Sequence, residues 1–205
     1  MAIPSSKIIV CRYDPVVERH HPVPELKVNY GVHVTEKNIE QLRKLNIACF
    51  PVRYGEQFYR DVVKRDPKLT ILAYYADNLI GAIGCRVEEN KLYIMTLCVL
   101  KPYRRMHIGR ILLEKMLEVA AADESLTEMY LNVQTSNECA MAFYSQFGFE
   151  KDAEIRNYYR RLEPNSCFVL TKDLVAFRQQ RAAAAAVAAP IAAPAPVAPS
   201  PAASD

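Results

Sequence analysis

The chain contains no run of 18 apolar residues and no apolar leader core near its start, so neither a membrane span nor an export signal is expected. Its six cysteines (Cys11, Cys49, Cys85, Cys98, Cys139 and Cys167) include no CxxC pair and no Cys/His grouping at metal-ligand spacing. That argues against a zinc module or a dithiol redox motif, and no metal is expected. Several of these thiols sit inside apolar runs, as buried free cysteines in a reducing compartment do. A strong excess of one charge is also missing, the formal balance being +3 over 205 residues. The densest basic cluster, Arg104 and Arg105 followed by Arg110, suits a local anion site rather than a nucleic-acid face. A soluble, cytoplasmic protein that also enters the nucleus, without direct nucleic-acid or membrane binding, is the expectation. The C-terminal end lacks large side chains, residues 181–205 holding 13 Ala and 5 Pro but no Tyr, Phe or Leu. Such a stretch has little to bury against the entropy of ordering it, and its Ala run can only flicker into helix, because Pro190, Pro194, Pro196, Pro199 and Pro201 stop it growing. Residues 1–26, with Pro4, Pro15, Pro22, Pro24 and a His20-His21 pair, form a second weak region. The expected organisation is a flexible extension over 1–26, one domain over 27–178, and a disordered Ala/Pro-rich tail over 179–205.

Within the domain the hydrophobic period changes repeatedly. Residues 28–34 alternate as a strand, and Thr35 is positioned to cap a helix carrying Ile39, Leu42, Leu45 and Ile47 up to Phe50. Residues 58–63 form a second short helical pattern. Residues 69–75 and 79–87 read as strands joined at Asp77-Asn78, and 92–100 is a third apolar run of strand length. From Gly109 onward Leu112, Met116, Val119 and Ala120 share one helical face. Residues 129–134 are another strand. Ser136 or Asn137 caps a helix running to Phe147, which Gly148 stops. Extended segments start at Phe149 and at Cys167. This order predicts an α/β fold, a sheet with helices on both faces, and by itself names no function.

The most informative stretch runs from Tyr93 to Arg110. A buried strand leads into a basic turn, and the turn leads directly into an amphipathic helix. Backbone N–H groups at such a turn and helix start form an anion cradle, which Arg104 and Arg105 would strengthen.

This segment resembles motif A of the GNAT superfamily, R/Q-x-x-G-x-G/A, whose loop holds the pyrophosphate of acetyl-CoA. Residues 137–150, with Phe143-Tyr144 and Phe147-Gly148-Phe149-Glu150, are similar to motif B. Tyr93-Ile94-Met95-Thr96-Leu97, Pro102-Tyr103-Arg104-Arg105, Phe50-Pro51-Val52 and Asn157-Tyr158-Tyr159 resemble, more narrowly, the San-like catalytic subunits of NatE. The likeness covers about residues 28–175. It implies a GNAT-like fold, a mixed, mostly antiparallel sheet that splits where the 92–100 strand leaves the 129–134 strand. It also implies acetyl transfer from acetyl-CoA to the α-amine of protein N-termini or nascent peptides, with Met-hydrophobic starts preferred, and association with a NatA-type scaffold at the ribosome. Position by position, Tyr93 matches the catalytic tyrosine. Leu97, Cys98 and Val99 match the strand whose backbone holds the thioester arm. Arg104, Arg105, His107, Gly109 and Arg110 match the pyrophosphate loop, and Asn137 and Tyr144 match residues lining the acetyl-CoA arm. Phe50, Pro51, Val52 and Tyr54 match the pocket for the first side chain, while Tyr158 and Tyr159 match tyrosines that bond the peptide backbone. Read without the resemblance, Phe50, Val52 and Tyr144 are ordinary core residues.

Two positions depart from the family pattern. The family's catalytic histidine corresponds to Asn132, in Tyr130-Leu131-Asn132-Val133, and an amide cannot serve as a general base. The first glycine of motif A is His107, which costs energy if the backbone there needs positive φ. These departures support an alternative expectation, a catalytically weakened paralogue that keeps the fold to bind acetyl-CoA or a scaffold.

Overall fold

The computed structural model of the chain describes residues 27–160 and 162–188. The extension over 1–26 lies outside them, as does the tail from 189 on. The elements follow the order β1 (Asn29–Val32), α1 (Ile39–Cys49), α2 (Glu56–Lys64), β2 (Thr70–Tyr75), β3 (Asn78–Glu88), β4 (Lys91–Val99), α3 (Ile108–Ala122), β5 (Glu128–Gln134), α4 (Glu138–Ser145), β6 (Glu150–Ile155), β7 (Cys167–Asp173) and α5 (Leu174–Ala188). The seven strands form one sheet in the order β1-β2-β3-β4-β5-β7-β6. All neighbours are antiparallel except β4 and β5.

Helices cover both faces because the strands are apolar on both. In β3 the side chains from Leu79 to Cys85 are all buried, a run that needs cover on each side. A Cβ placed on Gly81 would meet Ile108 and Leu112 of α3 at 3.2 and 3.3 Å. The neighbouring Ala82 pairs with Cys98, whose thiol reaches Asn46 of α1 at 3.8 Å. Successive residues of a strand face opposite ways, so α1 and α3 lie on opposite faces. α3 presents Ile108, Leu112, Leu113, Met116, Leu117 and Ala120 to the sheet, and α5 packs beside it. Four of the described cysteines are buried and in no disulfide, while Cys139 is exposed.

Four local expectations are corrected. The β2–β3 turn residues are Ala76 and Asp77 rather than Asp77-Asn78, since Tyr75 pairs with Asn78. Both have positive φ, 44° and 63°, the pair of signs a two-residue turn with right-handed strand twist requires. α1 begins at Ile39 behind Asn38 rather than directly after Thr35, because the Asn38 amide oxygen takes the Thr35 N–H at 2.7 Å and holds a preliminary turn. α4 ends at Ser145, two residues before Phe147. Its end is closed by Gly148 at φ +73°, with Phe149 N–H donating to the Tyr144 carbonyl and Gly148 N–H to that of Ser145, the paired bonds of a Schellman motif. Finally, α5 is not visible in the sequence pattern, and it carries helix from Leu174 through the Ala run to Ala188, ten residues past the expected domain limit. Alanine has the highest helix propensity of any residue, and no proline intervenes before Pro190. Residues 181–186 remain exposed.

Candidate active site

Strand β4 sets the site through two irregularities. It pairs with β5 only over Lys91, Leu92 and Tyr93, while its pairing with β3 continues to Val99. From Ile94 onward its other edge has no strand partner, and the sheet opens into a wedge. The second irregularity is a bulge. Arg86 pairs with Tyr93 and Cys85 with Ile94, but Gly84 pairs with Thr96, so Met95 is an extra residue on β4. Tyr93 and Cys98 are five residues apart, and regular alternation would send them to opposite faces. The bulge returns both to the face that α1 covers.

On that face Tyr93 is 1% exposed and Asn132 of β5 is 7% exposed. The Asn132 Nδ2 donates to the Tyr93 hydroxyl at 3.3 Å and to the Tyr158 hydroxyl at 2.9 Å. The two tyrosines are also close enough to interact, which raises the Tyr93 pKa and lowers that of Tyr158. Burial dominates both, holding Tyr93 well above the ordinary phenol value and Tyr158 above it as well. Neither phenol is a base near neutral pH. Tyr93 is braced from below by residues the sequence reading missed. The Arg86 guanidinium lies 4.9 Å from its ring centre, and Tyr130 packs on it at 4.8 Å, its own hydroxyl bonded to Glu88. A charged residue within the apolar 79–87 strand was the available signal for Arg86.

The mouth of the site brings together two distant loops. Between α1 and α2, Phe50 is buried and Tyr54 meets it edge-on at 5.8 Å, then stacks on Phe58 at 4.3 Å. Arg43 fixes α2 against α1, bonding Glu56 and lying 4.1 Å from the Tyr59 ring centre. Tyr54 is close enough to Cys98 and Tyr158 to feel both, although burial is the main reason its pKa is raised. Tyr158 and Tyr159 pack edge-on at 4.9 Å, and Tyr159 N–H donates to the Asn165 carbonyl at 2.8 Å. Of the expected pocket residues, Phe50, Val52, Tyr54, Tyr158 and Tyr159 belong to or pack against the core, whereas Pro51 is exposed.

The wedge leads to the start of α3. Arg104 is half-buried and its Nε donates to the Val99 carbonyl at 3.1 Å. The first intrahelical bond runs from Ile111 N–H to the His107 carbonyl, so the N–H groups of Ile108, Gly109 and Arg110 face out of the helix end. Such groups attract an anion, and the helix dipole adds to them. A Cβ on Gly109 would meet nothing nearer than Val99 at 3.7 Å, so the helix start is uncrowded there. These features fit acetyl-CoA, with the cradle for its pyrophosphate and the open edge of β4 for its arm. Arg110 points elsewhere, pairing with Glu114 at 2.8 Å. Asn137 caps α4, its side-chain oxygen accepting the Ala140 N–H at 3.1 Å. Tyr144 is wholly buried between Phe143 and Phe149.

His107 adopts φ +57°, ψ 5°. The family glycine is thus replaced by a side chain at a position that does require the left-handed conformation. His107 is exposed and its side chain makes no capping bond, so nothing there offsets the strain. His107→Gly is expected to stabilise the fold by about 1 kcal/mol, raising the melting temperature by about 2–4 °C. A thermal melt checks this, and a lower midpoint would show that the imidazole makes a compensating contact.

Comparison with known proteins agrees with this geometry. The acetyltransferase (GNAT) family profile matches residues 39–149. N-alpha-acetyltransferase 50 of Danio rerio is 46% identical over 145 residues, covering 69% of this chain and 86% of that protein. The probable N-acetyltransferase san of Drosophila melanogaster is 43% identical over 145 residues, covering 69% and 78%. Among solved structures, Arabidopsis thaliana Naa50 in complex with the bisubstrate analogue CoA-Ac-MVNAL superposes with a TM-score of 0.67 at 43% identity, covering 72% of this chain and 99% of that one. The chain belongs to the GNAT acetyltransferase family, as an N-alpha-acetyltransferase of the Naa50/San group that uses acetyl-CoA to acetylate protein N-termini.

Proposed function

We propose that the preferred substrates are nascent or finished proteins that begin with Met followed by a hydrophobic residue. The observation that carries this is the apolar cup of Phe50, Val52 and Tyr54 brought against Tyr158 and Tyr159, immediately beside Tyr93 and Asn132. An unbranched, polarisable Met side chain suits an aromatic-lined cup, and an Arabidopsis relative is solved with an analogue that carries the sequence MVNAL. When bound, acetyl-CoA supplies an activated acetyl thioester. The chain's own residues supply position and exclusion of water. The cradle at α3 anchors the anionic end, the open edge of β4 offers backbone N–H groups to the carbonyl oxygen, and the cup fixes the first residue so that its amine lies at the wedge. A cytoplasmic setting, with entry to the nucleus, and docking on a NatA-type scaffold at the ribosome complete the reading. They rest on the San-like resemblance.

The test is a panel of peptides differing in the first two residues, assayed for acetyl transfer at fixed acetyl-CoA. Met-Leu, Met-Val and Met-Ile starts are expected to exceed Ser, Ala and acidic starts in kcat/KM by at least about tenfold, the worth of one well-filled apolar pocket. A preference for Ser, Ala or acidic starts would overturn the assigned cup.

A further inference from the structure

Asn132 occupies the family's histidine position, and its two polar atoms are used unequally. Its Nδ2 is fully engaged by the hydroxyls of Tyr93 and Tyr158. Its Oδ1 is buried and has no hydrogen-bond partner among the described residues. Native proteins rarely leave a buried carbonyl oxygen unmatched away from functional sites. The residue lies on β5 just beyond Tyr130, the last point at which that strand pairs with β4, and so at the apex of the wedge.

We propose that Asn132 is the acceptor for the substrate amine, its Nδ2 clamping the two tyrosine hydroxyls while its Oδ1 takes one N–H of the attacking nitrogen. This rests on the reading of the chain as an N-terminal acetyltransferase. In this orientation the amide nitrogen holds both tyrosine hydroxyls and leaves the oxygen for a donor from outside. An amide oxygen accepts a hydrogen bond but not a proton, so the residue orients a neutral amine and does not deprotonate a charged one. In the step itself the amine lone pair forms a C–N bond to the thioester carbonyl carbon, and the C–S bond breaks. CoA leaves as a thiolate, and the proton lost from nitrogen goes to that sulfur, giving the amide and free CoA thiol.

Among the described residues, the side-chain bonds of Asn132 go only to two phenols. Tyr93 on β4 and Tyr158 before β7 face it directly. Arg86 and Glu88 of β3 and Tyr130 of β5 brace Tyr93. Tyr54 between α1 and α2, Tyr159 and Cys167 adjoin Tyr158. Val169, its partner on β7, carries no charge.

The inference is tested by a binding cycle that needs no turnover. With CoA present, the affinities of the peptide Met-Leu-Ala-Ala and of its des-amino analogue are measured by calorimetry at pH 9, where the α-amine is neutral, for the wild type and for Asn132→Leu. The wild type should bind the amine peptide about three- to tenfold more tightly, the worth of one hydrogen bond. Asn132→Leu should bind the two within about twofold of each other. Asn132→Asp, measured at pH 7, should widen the gap beyond that of the wild type at the same pH, because a carboxylate pairs with the ammonium form. Equal gaps in the wild type and Asn132→Leu, or no widening in Asn132→Asp, would overturn the proposal. If Asn132→Leu does not fold, the Asp variant decides alone. A wild type that acetylates no peptide would defeat the acetyltransferase reading, whereas an active wild type without this coupling defeats only the role of Asn132.

Discussion

Asn132→His is expected to raise the rate of acetyl transfer, by up to about 10²-fold, the usual worth of a general base. Among the described residues, no carboxylate or imidazole bonds Asn132 or the Tyr93 hydroxyl directly. Tyr93 and Tyr158 are buried phenols with raised pKa values, and Asn132 between them is an amide. A histidine there would stand about where Nδ2 now lies, 3.3 Å from the Tyr93 oxygen and 2.9 Å from that of Tyr158. Its neutral imidazole could receive the amine proton as the C–N bond forms. The gain should be largest between about pH 6.5 and 7.5, above the ordinary imidazole pKa and below full deprotonation of the α-amine. It should fade at lower pH as the ring charges, and shrink at higher pH as the amine becomes neutral unaided. Initial rates of both proteins at saturating acetyl-CoA, from pH 6 to 9, check this. Superimposable profiles would mean that position 132 takes no part in the chemistry.

The same lack of a base predicts strong discrimination between amines. An α-amine, with a pKa of about 7.7–8.0, is about a tenth to a sixth neutral at pH 7, while a lysine side chain at about 10.4 is neutral in fewer than one molecule in a thousand. If the enzyme can use only the neutral form, a peptide α-amine should react about 300-fold faster than an otherwise equivalent lysine at pH 7. The ratio should fall as pH rises, to about 25-fold at pH 9, because the α-amine is by then saturated while the lysine is still gaining neutral form. Paired peptides, one with a free α-amine and one blocked there with lysine as the sole amine, give the ratio by mass spectrometry. A ratio that stays flat with pH would require a proton acceptor at the site. The ratio should narrow in Asn132→His.

Most of the fold was legible because it rests on local period. The apolar runs at 69–75, 79–87, 92–100 and 129–134 and the amphipathic stripe on α3 are strong signals, and the wedge between β4 and β5 followed from the GNAT resemblance. What the pattern could not carry were features decided by single residues or by distant contacts. The turn at Ala76-Asp77 lost to Asp77-Asn78 because the dipeptide Asp-Asn is the better turn former in isolation, yet strand register selects the pair. α5 was hidden by composition, its Ala-rich half resembling a tail. At the site, Asn132 bonds the hydroxyls of Tyr93 and Tyr158, and Tyr54 packs on Phe50 and Phe58, contacts between distant segments that no local period shows. Arg110 pairs with Glu114 and lies 5.9 Å from the Phe147 ring centre, and Asn137 accepts the Ala140 N–H. Arg86 shows in the sequence only as a charge within an apolar strand, and the register that sets it beside Tyr93 gives it a place at the site.

The extra residue at Met95 makes β4 a matter of phase as well as of composition. A strand counts in twos, and the separation between Tyr93 and Cys98 is odd, so the phenol and the Cys98 thiol share a side only because one residue falls out of the count. Substitutions between them change size or polarity but leave the count intact. A single-residue deletion or insertion in the same stretch would invert one partner relative to the other, with every side chain still present and the mean hydropathy hardly altered. Relatives that keep this chemistry should therefore vary in residue type between these two positions while keeping their spacing fixed.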